Sequence, residues 1–134
     1  MSRKRNFRRI LEKQWAHGHF VCVGLDSEFG KIPNAVEHAV VKRIRSGEMN
    51  LTELEMIEEI IVHFNTQIID ATKDIVCAYK LNLAFYAEHG PNGISALERT
   101  IAYIQEQVPT NDGGLSLGQA VAGRAMHERL KARI

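Results

Sequence analysis

Two charged residues, each directly after a short apolar run, are the clearest candidates for chemistry in this sequence. Asp26 follows Val23-Gly24-Leu25, and Lys80 follows Ala78-Tyr79. A carboxylate accepts hydrogen bonds from hydroxyl groups, and an ammonium group stabilises negative charge on a bound molecule. An ordinary solvated strand end, or a local ion pair, would explain the same positions without a function. Position alone leaves both interpretations open.

Around these two residues, apolar β-rich runs alternate with an amphipathic helix. Phe20–Leu25 and Ile75–Tyr79 predict two strands, and the first is apolar enough for a parallel strand covered on both faces. Between them, Thr52–Asp74 predicts a helix that starts with a capping box of Thr52 and Glu55. Glutamates lie opposite its predicted apolar stripe, which comprises Leu54, Ile57, Ile60, Ile61, Phe64, Ile68 and Ala71.

The flanking segments extend this alternation. A basic amphipathic helix precedes the first strand and can end at Gly18, whereas residues 37–50 predict a loop or an irregular helix. A loop is predicted over His89–Gly93. The last helix closes near Val108-Pro109 and has an apolar stripe of Ile94, Leu97, Ile101 and Ile104. Alternating strands and helices imply parallel strands with right-handed crossovers, and two strands alone do not make a stable sheet.

Composition narrows the class of protein. A chain of 134 residues fits one soluble domain. Its net charge of +1 creates no strong electrostatic field that would favour nucleic-acid or membrane partners. The basic residues Arg3, Lys4, Arg5, Arg8 and Arg9 favour a solvated helix face over a nucleic-acid arm. Cys22 and Cys77 are expected to be free, buried thiols, and no ligand set for a metal is visible. We expect a cytoplasmic protein.

Several motifs resemble one enzyme family. Phe20-Val-Cys-Val-Gly-Leu-Asp26 with Lys31-Ile-Pro33, and Phe64 to Lys80 followed by Asn82-Leu-Ala-Phe-Tyr86, are similar to the bacterial orotidine 5′-phosphate decarboxylases with longer chains. The resemblance covers roughly residues 5–109. It implies an α/β fold, namely the first two βα units of a truncated (β/α)8 TIM barrel with an extra N-terminal helix.

The resemblance also implies a function. The family decarboxylates orotidine 5′-monophosphate to UMP in pyrimidine biosynthesis, as a homodimer and without a metal or organic cofactor. Asp26 matches the aspartate that contacts the nucleoside, and Lys80 matches the lysine that contacts the ribose and joins a charge network. Relatives commonly have proline where this chain has Leu81, a departure that changes the backbone constraint and leaves the charge of Lys80 unaffected.

A larger departure divides the chain into a family-like part, residues 1–109, and a divergent tail, residues 110–134, for which a helix is one interpretation. The family motif Asp-x-Lys-x-x-Asp, whose lysine protonates the reacting carbon, does not occur in the 134 residues. We therefore expect an inactive fragment. A shifted or shortened reading frame, or a true short variant, would explain the change. Two other hypotheses are an interaction protein that binds through an open sheet edge, and a nucleotide-binding module without the chemistry.

Overall fold

The computed structural model describes residues 7–107, in which six helical segments and two strands follow one another. The first half contains α1 (Phe7–Ala16), β1 (Val21–Gly24), a 3₁₀ turn (Phe29–Lys31) and α2 (Asn34–Arg45). The second half contains α3 (Glu53–Thr72), β2 (Val76–Lys80), α4 (Leu83–Ala87) and α5 (Gly90–Gln107). The predicted tail, residues 110–134, lies outside the described residues.

The two strands form a parallel pair, as predicted. Gly24 pairs with Lys80, and the register is irregular only between Val21 and Cys22. One residue beyond β1, the Leu25 N–H donates to the Lys80 carbonyl at 2.8 Å. Because α3 connects the strands as a crossover helix, their carboxyl ends lie side by side. The described part of the chain is therefore an α/β structure.

Helix α3 begins with the predicted capping box. The Thr52 side chain accepts from the Glu55 N–H, and the Glu55 carboxylate accepts from the Thr52 N–H at 2.8 Å. The predicted apolar stripe is partly wrong, because Leu54 and Ala71 are exposed. Helices α2 and α5 pack against α3, and its buried residues lie between Glu59 and Ile69, so neither end of the helix contributes to the buried face. That face comprises Glu59, Ile60, Ile61, Val62, Asn65 and Ile69.

Ion pairs bury part of the glutamate face that the sequence assigned to solvent. The Glu59 carboxylate is only 8% exposed and accepts from Arg99 on α5 at 2.8 Å and from Arg43 on α2 at 3.3 Å. Glu58 accepts from Arg99 at 3.1 Å and from the Ser95 hydroxyl at 2.8 Å. A buried carboxylate is tolerated only when it is paired and hydrogen-bonded. These contacts therefore tie α2 and α5 to α3.

A regular helix, α2, replaces much of the loop or irregular helix predicted over residues 37–50. Val36 and Val40 are four residues apart and are buried against Ile60 of α3. Because α2 packs mainly on α3, only these two valines of α2 are buried. Two apolar positions are too few for the hydrophobic periodicity of the sequence to predict a helix. Gly47, with a φ of +81°, follows the helix in the left-handed conformation that commonly ends helices.

The last helix also begins earlier than predicted, at Gly90, inside the segment interpreted as a loop. Pro91 fits in its first turn, where an N–H would have no helical partner. Gly93 then crosses the end of α4 so closely that a Cβ there would lie 1.7 Å from the Tyr86 carbonyl oxygen. The loop prediction was wrong because glycine and proline here start a helix and allow close packing.

The first strand is much less buried than expected. Phe20 is 69% exposed, and Val21 and Cys22 are exposed too, so the prediction of a strand covered on both faces is wrong. Within residues 7–107, β1 pairs only with β2, and the core covers only the side that Val23 and Leu25 present. Strand β2 is buried except for Lys80. The buried thiol predicted at Cys77 is confirmed, and the one at Cys22 is not.

The N-terminal helix agrees with its prediction over the described residues. Arg8 and Arg9 are exposed, and Arg8 forms an ion pair with Glu12 at 2.8 Å. Gly18 follows the helix with a φ of +83°, as expected of a glycine that ends it. No described helix is both long and apolar enough to cross a membrane.

Replacing Gly93 with alanine tests the close contact between α4 and α5. The added methyl group would collide with the Tyr86 carbonyl, so we expect Gly93→Ala to lower the free energy of unfolding by about 1–3 kcal/mol. Gly30→Ala is the matched control, because a Cβ at Gly30 meets nothing within 4 Å. Urea unfolding followed by circular dichroism measures both; equal stabilities would contradict the packing described.

Exposed apolar residues beside an unpaired strand edge favour self-association. We expect Phe20→Lys to lower the aggregated fraction of the purified chain, measured by light scattering. Leu54→Lys is the control, because Leu54 is 60% exposed but lies in the first turn of a helix and not on a strand. A monodisperse wild-type chain, or an equal effect of the control, would contradict this expectation.

Candidate functional site

Asp26 and Lys80 lie at the carboxyl ends of the two paired strands. A Cβ built on Gly24 would lie 3.8 Å from Oδ2 of Asp26, so the carboxylate folds back over the residue that pairs with Lys80. Ion pairs within residues 7–107 include neither Asp26 nor Lys80. Among these residues, the local ion pair considered from the sequence is therefore not formed, and both charged residues are exposed at neighbouring strand ends.

Each of the two charged residues is exposed between buried neighbours. Asp26 follows Leu25, which is in the core, and precedes the buried Ser27. Lys80 lies in the same way between two buried residues, Tyr79 and Leu81. Neighbouring side chains of an extended chain point to opposite sides, so the buried flanks direct both charges away from the core. Leu81 lies in the core and so anchors the chain directly after Lys80.

A buried polar network lies directly beneath Asp26, and its centre is Asn65 of α3. The Asn65 carbonyl oxygen accepts from the Ser27 hydroxyl at 2.5 Å. Its amide nitrogen donates to the Tyr86 hydroxyl at 3.1 Å and to the Thr100 hydroxyl at 3.0 Å. The Asn65 side chain is fully buried, so these bonds satisfy an amide that has no access to water. The network joins α3, α4, α5 and the segment after β1.

Tyr86 connects this network to the backbone next to Asp26. Its hydroxyl donates to the Leu25 carbonyl at 2.6 Å, while the Leu25 N–H donates to Lys80. Both backbone polar groups of Leu25 are therefore hydrogen-bonded: the N–H to the Lys80 carbonyl, and the carbonyl to the Tyr86 hydroxyl. Burial raises the pKa of Tyr86 to about 12, because the phenolate would lose its hydration.

Other residues singled out in the sequence do not gather at this edge. Lys31 forms an ion pair with Glu28 at 2.7 Å in the turn after β1. Cys22 is exposed as a residue. Partial desolvation of its thiol, followed by the nearby Cys77, raises the pKa of that thiol, while Lys80 acts in the opposite direction. His63 is half-buried and contacts Gln67 of its own helix. Among residues 7–107, no three histidine, cysteine or acidic residues could hold a metal ion together.

The sequence interpretation missed the Asn65 network. Its signal was a polar residue four positions from Ile61 and four from Ile69, on a face that is otherwise apolar and buried. Such a position indicates a buried hydrogen-bonding role. Its partners Ser27, Tyr86 and Thr100 come from distant segments, and no local pattern reveals them.

These features define an α/β chain with an aspartate and a lysine at the carboxyl edge of a parallel strand pair. Among curated proteins, the chain is 39% identical to an orotidine 5′-phosphate decarboxylase of Parabacteroides distasonis, over 81% of the chain and 31% of the relative. Relatives with the same name from Thermomicrobium roseum and Herpetosiphon aurantiacus are 35% and 39% identical, over 93% and 81% of the chain and 40% and 36% of the relatives.

Over the part that aligns, the chain therefore belongs to the orotidine 5′-phosphate decarboxylase family. It spans about a third of the length of the curated relatives it matches. The match to the Thermomicrobium roseum protein covers 93% of the chain, which is more than residues 1–109 alone can supply. No family model and no solved structure matches the chain.

Because the pKa of Tyr86 is raised in the folded chain, the stability of the fold should fall as the pH rises through the alkaline range. The unfolded phenol ionises near pH 10 and the folded one near pH 12, so its contribution is complete below pH 10 and is lost towards pH 12. We expect the stability difference between wild type and Tyr86→Phe to shrink by about 1.4 kcal/mol per pH unit in this window. Thermal unfolding at stepped pH measures it. A constant difference would mean that the Tyr86 phenol is not buried.

Proposed function

We propose that these residues supply the nucleoside-contacting edge of an enzyme that decarboxylates orotidine 5′-monophosphate to UMP. The observation that carries the proposal is the placement of Asp26 and Lys80 at neighbouring strand ends, on the edge where parallel α/β proteins bind their ligands. The two residues match the family positions that contact the nucleoside and the ribose. Family membership supports the reaction type.

The chemistry of the two side chains suits a nucleoside. The Asp26 carboxylate accepts hydrogen bonds from sugar hydroxyl groups, and the Lys80 ammonium donates them. Loss of carbon dioxide leaves negative charge on a pyrimidine carbon, and nearby cations stabilise that charge in a dry site. Lys80 is a cation of this kind, although its main role in the proposal is to hold the ribose.

The same chemistry indicates that a polypeptide of these 134 residues does not complete the reaction. The carbon that loses carbon dioxide must receive a proton from an acid within hydrogen-bond reach. The family supplies this acid from Asp-x-Lys-x-x-Asp, which does not occur in the 134 residues. We propose that the complete enzyme is a cytoplasmic, homodimeric (β/α)8 barrel that needs neither a metal nor an organic cofactor.

One observation favours a second function. The apolar residues Phe20 and Val21 are exposed beside the outer edge of β1, which has no partner strand among the described residues. Such an edge binds other strands, so the described unit could act as an interaction module. Binding measurements with UMP separate the two functions, because an interaction module has no reason to depend on Asp26 or Lys80.

We expect no decarboxylation above background from the purified 134-residue chain, and weak binding of UMP in equilibrium dialysis. Asp26→Asn and Lys80→Ala should each weaken this binding by about two- to fivefold, the range expected of exposed polar contacts. The matched controls Asp74→Asn and Lys42→Ala change exposed residues that are not at the carboxyl ends of the strands, since Asp74 precedes β2 and Lys42 lies in α2, and they should leave the binding unchanged.

Two outcomes would contradict the proposal. Turnover that disappears in Lys80→Ala would mean that another residue of the chain supplies the proton. Affinity for UMP that is absent, or indifferent to both Asp26 and Lys80, would remove the nucleoside-contacting role and favour the interaction module.

A further inference from the structure

We propose that Asn65, acting through Tyr86 and Ser27, is a positioning residue that sets the direction of Asp26 towards the nucleoside. This inference rests on the proposed function, in which Asp26 contacts that ligand. None of the three residues is itself placed against substrate. They act on the backbone on both sides of Asp26, through bonds that are fully buried.

The hydrogen bonds of Tyr86 and Asn65 fix the chain immediately before and immediately after Asp26. The Leu25 carbonyl, which belongs to the peptide group joining Leu25 to Asp26, accepts from the Tyr86 hydroxyl. The Ser27 hydroxyl donates to the Asn65 carbonyl oxygen. These two hydrogen bonds fix the peptide group before Asp26 and the side chain of Ser27 after it. The Cα–Cβ bond of Asp26 therefore has one preferred direction.

The side-chain polar groups of Asn65 and Tyr86 are all engaged in hydrogen bonds with specific partners. The Asn65 amide uses both of its N–H groups, on Tyr86 and Thr100, and its oxygen is taken by Ser27. Tyr86 accepts from Asn65 and donates to Leu25, while Thr100 donates to the Ala96 carbonyl at 2.8 Å. Breaking any bond leaves a polar group buried and unpaired, which costs more than the bond itself contributes. One arrangement is therefore strongly preferred.

The link to Lys80 follows from the same backbone. Leu25 donates its N–H to the Lys80 carbonyl, so the segment that Tyr86 holds is also the segment that contacts the end of β2. Moving the Leu25 peptide would change the separation of the two charged residues. The network therefore controls the geometry of the pair as well as the direction of Asp26.

A second tyrosine provides a matched control. Tyr79 is as fully buried as Tyr86, and its hydroxyl also bonds to a backbone carbonyl, that of Ile69, at 3.2 Å. Its other partner is Thr72, so its bonds tie β2 to α3 and do not reach the segment around Asp26. Tyr79→Phe therefore removes a comparable buried hydroxyl without touching the proposed positioning contacts.

The experiment measures UMP affinity of the 134-residue chain by NMR titration in four variants: Tyr86→Phe, Tyr79→Phe, Asp26→Asn and the double variant Asp26→Asn with Tyr86→Phe. We expect Tyr86→Phe to weaken binding by about two- to fivefold and Tyr79→Phe to leave it unchanged. In the Asp26→Asn background, Tyr86→Phe should have no further effect, because Tyr86 acts through Asp26. Backbone ¹⁵N order parameters of residues 25–28, without ligand, should fall in the two variants that contain Tyr86→Phe and in neither of the others.

The outcomes distinguish the positioning role from the proposed function. An equal loss of affinity in Tyr79→Phe, or a full effect of Tyr86→Phe in the Asp26→Asn background, would overturn the positioning role. So would unchanged order parameters at residues 25–28. A wild-type chain that does not bind UMP would instead overturn the proposed function, and the order parameters would then decide alone whether the network holds the backbone at Asp26.

Discussion

The buried amide of Asn65 imposes a constraint on which the arrangement of the described chain depends. An unpaired buried polar group costs about 1–3 kcal/mol, and this amide has three hydrogen-bonding positions to satisfy, all away from water. Its partners come from three other segments: Ser27 after β1, Tyr86 of α4 and Thr100 of α5. Apolar packing brings these segments together without specifying their orientation. Satisfying one amide from three directions selects a single orientation for all of them.

From this constraint follows the exposure of the two charged residues. Leu25 and Ser27 are drawn inward by the core and by the network, and Tyr79 and Leu81 by the core. Asp26 and Lys80 are left at neighbouring strand ends on the open edge, and no ion pair within residues 7–107 includes either of them. The family that the chain belongs to acts on a nucleotide, and this edge is where the proposed function places the nucleoside. The ion pairs of Glu58 and Glu59 join α3 to α2 and α5 and include neither Asp26 nor Lys80.

Local patterns were sufficient to predict the parallel strands, the capping box of α3 and the positions of Asp26 and Lys80, because each depends on residues close in sequence. They failed for α2, where Val36 and Val40 provide too narrow a stripe, and for β1, whose burial depends on neighbouring strands. They also failed for the Asn65 network, because the three partners of Asn65 lie 21 to 38 residues from it in the sequence. A polar residue between Ile61 and Ile69 indicates a buried role but does not name its partners.

A map of amide chemical shifts, recorded in the 134-residue chain as UMP is added, tests whether the carboxyl ends of the two strands form one nucleoside-contacting edge. The expected result is a set of concentration-dependent shifts confined to residues 24–28 and 80–82, with those of α2 unchanged. Shifts centred elsewhere, or at only one of the two strand ends, would contradict it.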